Sequence, residues 1–120
     1  MKQITCLSEL KQLKKGSILL WLPTCSNPVL EIVHGPVILN GTTVGYEHTS
    51  YQLRSGGGGA CWFFSASSTL HVNSFLKSVV YMPKDIEEVI DYVPIHNGIC
   101  NPVLIRNFIE QLERTRHESD

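Results

Sequence analysis

Residues 29–46 read Val29-Leu30-Glu31-Ile32-Val33-His34-Gly35-Pro36-Val37-Ile38-Leu39-Asn40-Gly41-Thr42-Thr43-Val44-Gly45-Tyr46. β-Branched residues dominate, and the apolar period is close to two, so residues 30–33 and 37–39 read as strands. His34-Gly35-Pro36 breaks them, because proline lacks the N–H that a ladder needs. Asn40-Gly41 is the strongest hairpin signal in the chain, since both residues tolerate φ > 0. Residues 42–46 are therefore expected to return antiparallel to residues 37–39.

Working outward, residues 17–22 (Ser-Ile-Leu-Leu-Trp-Leu) form a short unbroken apolar run closed by Pro23, which fits a buried strand. Before it, Thr5 is expected to cap a helix carrying Leu7, Leu10 and Leu13, with Gly16 ending it after Lys14-Lys15. Residues 51–54 are a further strand candidate. Residues 60–76 fit two periods: Trp62, Ala66, Leu70 and Leu76 at helical spacing, or Trp62, Phe64 and Ala66 at strand spacing. The helix, starting near Cys61, is the reading adopted.

Residues 78–82 read as a strand. Pro83 suits the first position of a short helix with Ile86, Val89, Ile90 and Val93 on one face, stopped by Val93-Pro94. Asn101-Pro102 starts the last helix, with Ile105, Phe108, Ile109 and Leu112 as its buried stripe. The expected fold class is α+β: a small, strand-rich antiparallel sheet or partial barrel flanked by N-terminal and C-terminal helices. Residues 1–120 form a single domain, with a polar, frayed tail from about residue 115.

The composition narrows the functional classes. Lys+Arg number 10 and Asp+Glu 11, a formal net charge of -1, so bulk electrostatics indicate neither duplex nucleic acid nor an anionic membrane as partner. The N-terminal residues lack the apolar core of a signal peptide, and no apolar run is long enough to span a bilayer. Cytoplasmic location is therefore expected, with Cys6, Cys25, Cys61 and Cys100 as free thiols. Of the histidines and cysteines, only His96 and Cys100 are locally paired, and no zinc spacing appears. Neither metal nor cofactor is expected.

Two segments carry chemistry. In Arg54-Ser55-Gly56-Gly57-Gly58-Gly59, successive glycines let backbone N–H groups converge on an anion, and Arg54 supplies a bidentate contact. The spacing Arg54-x-x-Gly57-x-Gly59 resembles the pyrophosphate-binding turn of GNAT-type acetyltransferases. The same glycines also suit an exposed loop. Tyr46, Tyr51 and Trp62, with His48, would provide a stacking face, or else cross-strand pairs on a sheet.

The second segment is Gly59-Ala60-Cys61-Trp62-Phe63-Phe64-Ser65-Ala66. It resembles the nucleophile segment of papain-like cysteine peptidases, calpains included, where a small-residue turn precedes Cys-Trp and an apolar helix. That resemblance implies Cys61 as nucleophile with His96 as base. Lys15-Gly16-Ser17-Ile18-Leu19 and residues 34–41 resemble the opening strand and histidine strand of circularly permuted NlpC/P60-type hydrolases, which implies His34 instead. Ser17 stands where that pattern carries an acidic residue. Cys61 equally suits a core position, because free cysteine is among the most buried residue types.

The leading expectation is a non-catalytic binding or inhibitor-type accessory protein, of the kind phages and mobile elements encode. It would recognise a phosphate-bearing small molecule such as a nucleotide, or a partner protein, through the arginine- and glycine-rich loop, and it is a candidate homo-oligomer. The alternative is a thiol hydrolase or acyltransferase using Cys61.

Overall fold

The computed structural model describes residues 1–23, 28–52, 63–92 and 102–117. Among them, seven strands form one sheet in which every neighbouring pair is antiparallel. They are β1 (Lys2–Gln3), β2 (Ile18–Trp21), β3 (Val29–Val33), β4 (Ile38–Asn40), β5 (Thr43–Gln52), β6 (Phe63–His71) and β7 (Val80–Met82). The order is β1-β7-β2-β3-β5, where β5 carries β6 on one edge and both β3 and β4 on the other. The helices among the described residues are α1 (Leu7–Leu10), α2 (Val72–Lys77), α3 (Ile86–Tyr92) and α4 (Pro102–His117), in a mixed α+β fold.

The residues that break the opening stretch do so inside one line of pairing. β3 ends with Val33 opposite His48 and β4 begins with Ile38 opposite Gly45, so residues 34–37 bulge opposite only Tyr46 and Glu47. The ladder is bridged there by the His34 N–H, which donates to the Glu47 carbonyl at 2.8 Å. Pro36 sits in the bulge, where its missing N–H breaks no ladder bond.

The hairpin that follows is shifted by one residue from its expected place. Asn40 pairs with Thr43, so Gly41-Thr42 is the two-residue loop, and only Gly41 has positive φ, +62°. That pattern belongs to the turn with glycine at the first central position rather than to the Asn-Gly form. The Thr43 hydroxyl donates to the Asn40 carbonyl at 2.9 Å and closes the loop.

Both faces of the sheet are covered, which explains the unbroken apolar run in β2. Ile18 and Leu20 join Leu30, Ile32 and Tyr51 beneath α3 and α4, against Ile86, Val89, Leu104, Phe108 and Leu112. Leu19 points the other way, with Val33, Val44, Tyr46 and Val80, against Ile4, Leu10, Leu13 and Phe75. A strand buried on one face only would alternate apolar and polar side chains.

Several expectations are corrected. The N-terminal helix is a single turn, because the chain tightens into i→i+3 bonds at Gln12 and Leu13. Thr5 does not cap it as a side-chain acceptor; instead its N–H and hydroxyl both donate to Glu9 Oε1, at 3.0 and 2.9 Å. Residues 63–71 are a strand, not a helix, and within the stretch expected to be helical only its last residues, from Val72 in α2, are. The reason lies in β5: with β3 and β4 on one edge, its other edge leaves a row of backbone polar groups along residues 43–51, which β6 satisfies. Ser65, Ser67, Ser68 and Thr69 are also weak helix formers.

At α3 the start signal is Asp85, whose Oδ1 accepts the Glu88 N–H at 3.0 Å, while Glu88 Oε2 accepts the Lys84 N–H at 2.7 Å. Together these two bonds cap the helix, with Glu88 reaching back one residue past Asp85, and Pro83 lies outside it. Pro102 does open α4, but the buried stripe is rotated: Leu104, Phe108, Leu112 and Thr115 face inward, and Ile109 is 37% exposed. α4 continues to His117, with Thr115 buried and Arg116 hydrogen-bonded to Gly16 and Lys84. No helix among the described residues is long and apolar enough to cross a membrane.

Candidate functional site

Three connections meet at one end of the sheet: the turn from α1 into β2, the turn from β7 into α3, and the last turn of α4. Gly16 makes the first possible. Its φ of +87° is left-handed, and a methyl group there would sit 2.7 Å from Arg116 Cγ. With only hydrogen at that position, Arg116 lies across the turn, and its Nε donates to the Gly16 carbonyl at 3.1 Å. A terminal guanidinium nitrogen of Arg116 reaches the other side and donates to the Lys84 carbonyl at 3.2 Å. Both acceptors are neutral, so these bonds orient the guanidinium while leaving its charge in place.

A groove of about 900 Å³ opens around this side chain, lined by Lys2, Lys14, Lys15, Lys84 and Arg116, with Glu88 as its acidic member. Half of the chain's ten Lys+Arg residues thus converge on one concavity of a protein whose net charge is -1. Such an arrangement focuses positive potential that the total charge conceals. The remaining lining is aliphatic or hydroxyl-bearing: Ile18, Met82, Pro83, Ser17 and Thr115 among it.

Lys2 is ion-paired with Glu9 at 3.1 Å, which offsets part of its charge. The Glu9 carboxyl is lowered from 4.5 to about 2, first by the Thr5 backbone N–H, then by the Thr5 hydroxyl, Lys2 and Cys6. Because folding lowers this pKa, the contribution is present above the unfolded value and is lost as pH falls from there through the folded one. The Thr5 amide resonance is therefore expected to titrate with a midpoint near about 2; a midpoint at the ordinary 4.5 would show that the Glu9 contacts do not persist in solution.

A second polar cluster lies inside the sheet, on the face shared with α2. Glu31 Oε1 accepts bonds from the Trp21 indole N–H at 2.8 Å and the Tyr46 hydroxyl at 2.7 Å, and Oε2 accepts from Ser50 at 3.1 Å. With its one proton given to Glu31, Ser50 accepts from His48 Nδ1 at 2.8 Å, and His48 Nε2 is hydrogen-bonded with the Ser68 hydroxyl at 2.6 Å. His48 Nδ1 also lies 3.4 Å from Glu31 Oε2. Burial, then the nearby Glu31 charge, push the Tyr46 phenol far above its ordinary range, so Tyr46 keeps its proton and donates it to Glu31. The sequence Ser68–His48–Ser50–Glu31 orders a histidine between hydroxyls and an acid, but neither Ser68 nor His48 lines the basic groove. A smaller groove of about 410 Å³, lined by Trp21, Val29, Glu31 and Lys77 among others, touches the cluster from the side.

The residues singled out from sequence fall into two groups. Arg54, Ser55, Gly56, Gly57, Gly58, Gly59, Cys61, Trp62 and His96 lie outside the described residues. Tyr46, His48 and Tyr51 are described, and they do not form a stacking face. They are 4%, 3% and 0% exposed, and Tyr51 points to the opposite side of the sheet from the other two. Tyr51 packs edge-on against Phe108, with centroids 5.3 Å apart, and donates to Asn107 Oδ1 at 2.9 Å. His34 is half-buried, with Nε2 2.6 Å from Thr49 Oγ1 and Nδ1 3.5 Å from Thr115 Oγ1.

Sequence reasoning missed Lys84 and Arg116 as groove residues, and it used Lys14-Lys15 only as a helix end. The doublet was a visible signal; its partners are about 70 and 100 positions away. Among the described residues, no group of three or more His, Cys, Asp or Glu could hold a metal ion. Comparison of the chain with protein-family models, with curated proteins and with solved structures gives no significant match.

Proposed function

We propose that this protein is a non-catalytic binding domain for a phosphate-bearing small molecule, a nucleotide being one candidate. The observation that supports it is the convergence of Lys14, Lys15, Lys84 and Arg116 on one groove, with Arg116 oriented by two backbone carbonyls. A pre-oriented guanidinium loses little rotamer freedom on meeting a phosphate, and bidentate Arg–phosphate pairs are among the stronger charge-assisted hydrogen bonds. The Arg54 and glycine segment is a second anion contact in the same proposal, on the strength of its sequence.

Calorimetric titration with ATP separates the two contacts. Arg116→Ala is expected to weaken binding about tenfold or more, the scale of one charge-assisted bond pair. Arg54→Ala is expected to weaken it too if its loop takes part. Isotherms unchanged by both substitutions would remove the anion-binding function.

A further inference from the structure

We infer that the groove reads the phosphate chain of its ligand and not a base, so that its ligand class is a linear, multiply charged phosphate rather than a nucleoside as such. This rests on the anion-binding reading above and narrows it.

Three observations carry the inference. First, the cations come from four separate stretches, residues 2, 14–15, 84 and 116, and so line an extended surface rather than one point. Arg116 bridges the two lysine-bearing turns, because it bonds to Gly16 next to Lys15 and to Lys84 itself. An anion spanning those turns would meet charge on both sides of the guanidinium. Orthophosphate occupies only part of such a surface, while three linked phosphates extend along it.

Second, none of the described residues lining the groove is aromatic. Nucleobase binding draws on stacking platforms, and removing one weakens binding on the order of tenfold to a hundredfold. Here the apolar lining is Met82 and Pro83, with Ile18 buried beneath, and none of them offers an aromatic face. Third, the described aromatic rings are paired elsewhere: Trp21 with Phe75, Tyr46 with His48, Tyr51 with Phe108, and Tyr81 with Tyr92. Turning one toward the groove would break a packed contact.

The test is titration calorimetry on the whole chain at low ionic strength, with tripolyphosphate, pyrophosphate, orthophosphate, ATP and adenosine as probes. Tripolyphosphate and ATP are expected to bind within about threefold of each other, because the base adds no stacking contact. Affinity is expected to fall through pyrophosphate to orthophosphate, and adenosine to give no binding heat. The double variant Lys14→Gln/Lys84→Gln removes two exposed charges without touching the core, and it is expected to weaken tripolyphosphate binding about tenfold or more.

ATP binding tenfold or more tightly than tripolyphosphate would overturn this inference while leaving the anion reading intact. Binding of tripolyphosphate unaltered in the double variant would place the anion elsewhere and overturn it as well. Failure of both tripolyphosphate and ATP to bind would remove the anion reading itself.

Discussion

Glu31→Ala is expected to lower the unfolding free energy by about 3–5 kcal/mol, a large share of the roughly 5–15 kcal/mol typical of a domain. The carboxylate is 6% exposed and gathers bonds from Trp21, Tyr46 and Ser50, with His48 beside it. Truncation orphans two buried donors, Tyr46 and Ser50, and the half-buried Trp21 indole, at about 1–3 kcal/mol for each that stays unsatisfied. Water entering from the groove beside Trp21 can rescue the indole N–H, but Tyr46 and Ser50 lie deeper. That partial rescue keeps the estimate below the full sum.

Glu31→Gln is the informative companion. It keeps one carbonyl oxygen for two donors, and its amide N–H groups can meet the hydroxyl lone pairs, so roughly half of the loss is expected. Urea unfolding followed by far-UV circular dichroism would measure both, read as a change in midpoint at constant slope. A loss under about 1 kcal/mol for the alanine variant would mean that the cluster is hydrated and stabilises little.

The second large effect is at α4. Phe108→Ala is expected to cost about 3–5 kcal/mol, from lost apolar transfer and from the cavity it leaves. Phe108 is fully buried between the helix and the sheet, edge-on to Tyr51, itself 0% exposed. Those neighbours sit on paired strands and cannot collapse inward readily. Ile109→Ala, one position along, is expected to cost less than about 1 kcal/mol, since its side chain faces outward at 37% exposure. Comparing the two melts tests the rotated stripe directly. Equal losses would mean that α4 packs on a broader face, and a reversed order would mean that it is turned by a residue.

The rotation of that stripe shows where sequence reasoning stops. Leu104, Ile105, Phe108, Ile109 and Leu112 together cover a wide apolar arc, and periodicity alone cannot say which line is its centre. The centre is set by contacts that join distant residues: Tyr51 to Asn107 and Arg116 to Gly16. The same limit applies to residues 63–71, where both periods fit the letters. Helix or strand was decided by whether β5 had an edge to complete.

Glu31 is the clearest case for the candidate site. Set between Leu30 and Ile32, a charged residue in an alternating strand reads as the solvent face. It is buried because this sheet is covered on both sides, and it is tolerated because donors from β2 and β5 surround it. The groove follows the same rule. Lys14-Lys15 is a local signal, but Lys84 and Arg116 become its neighbours only through the fold.

What the sequence determined by itself was local: the unbroken apolar run of β2, the break at His34-Gly35-Pro36, the hairpin within one residue of its place, and the proline that opens α4. Each depends on backbone preferences or short-range patterning within a few residues. The tertiary structure decided the strand at 63–71, the inward turn of Glu31, Tyr46 and His48, and the gathering of five cations at one end of the sheet. These depend on which backbone edge remains to be paired and which face remains to be covered, quantities that exist only once distant segments have met.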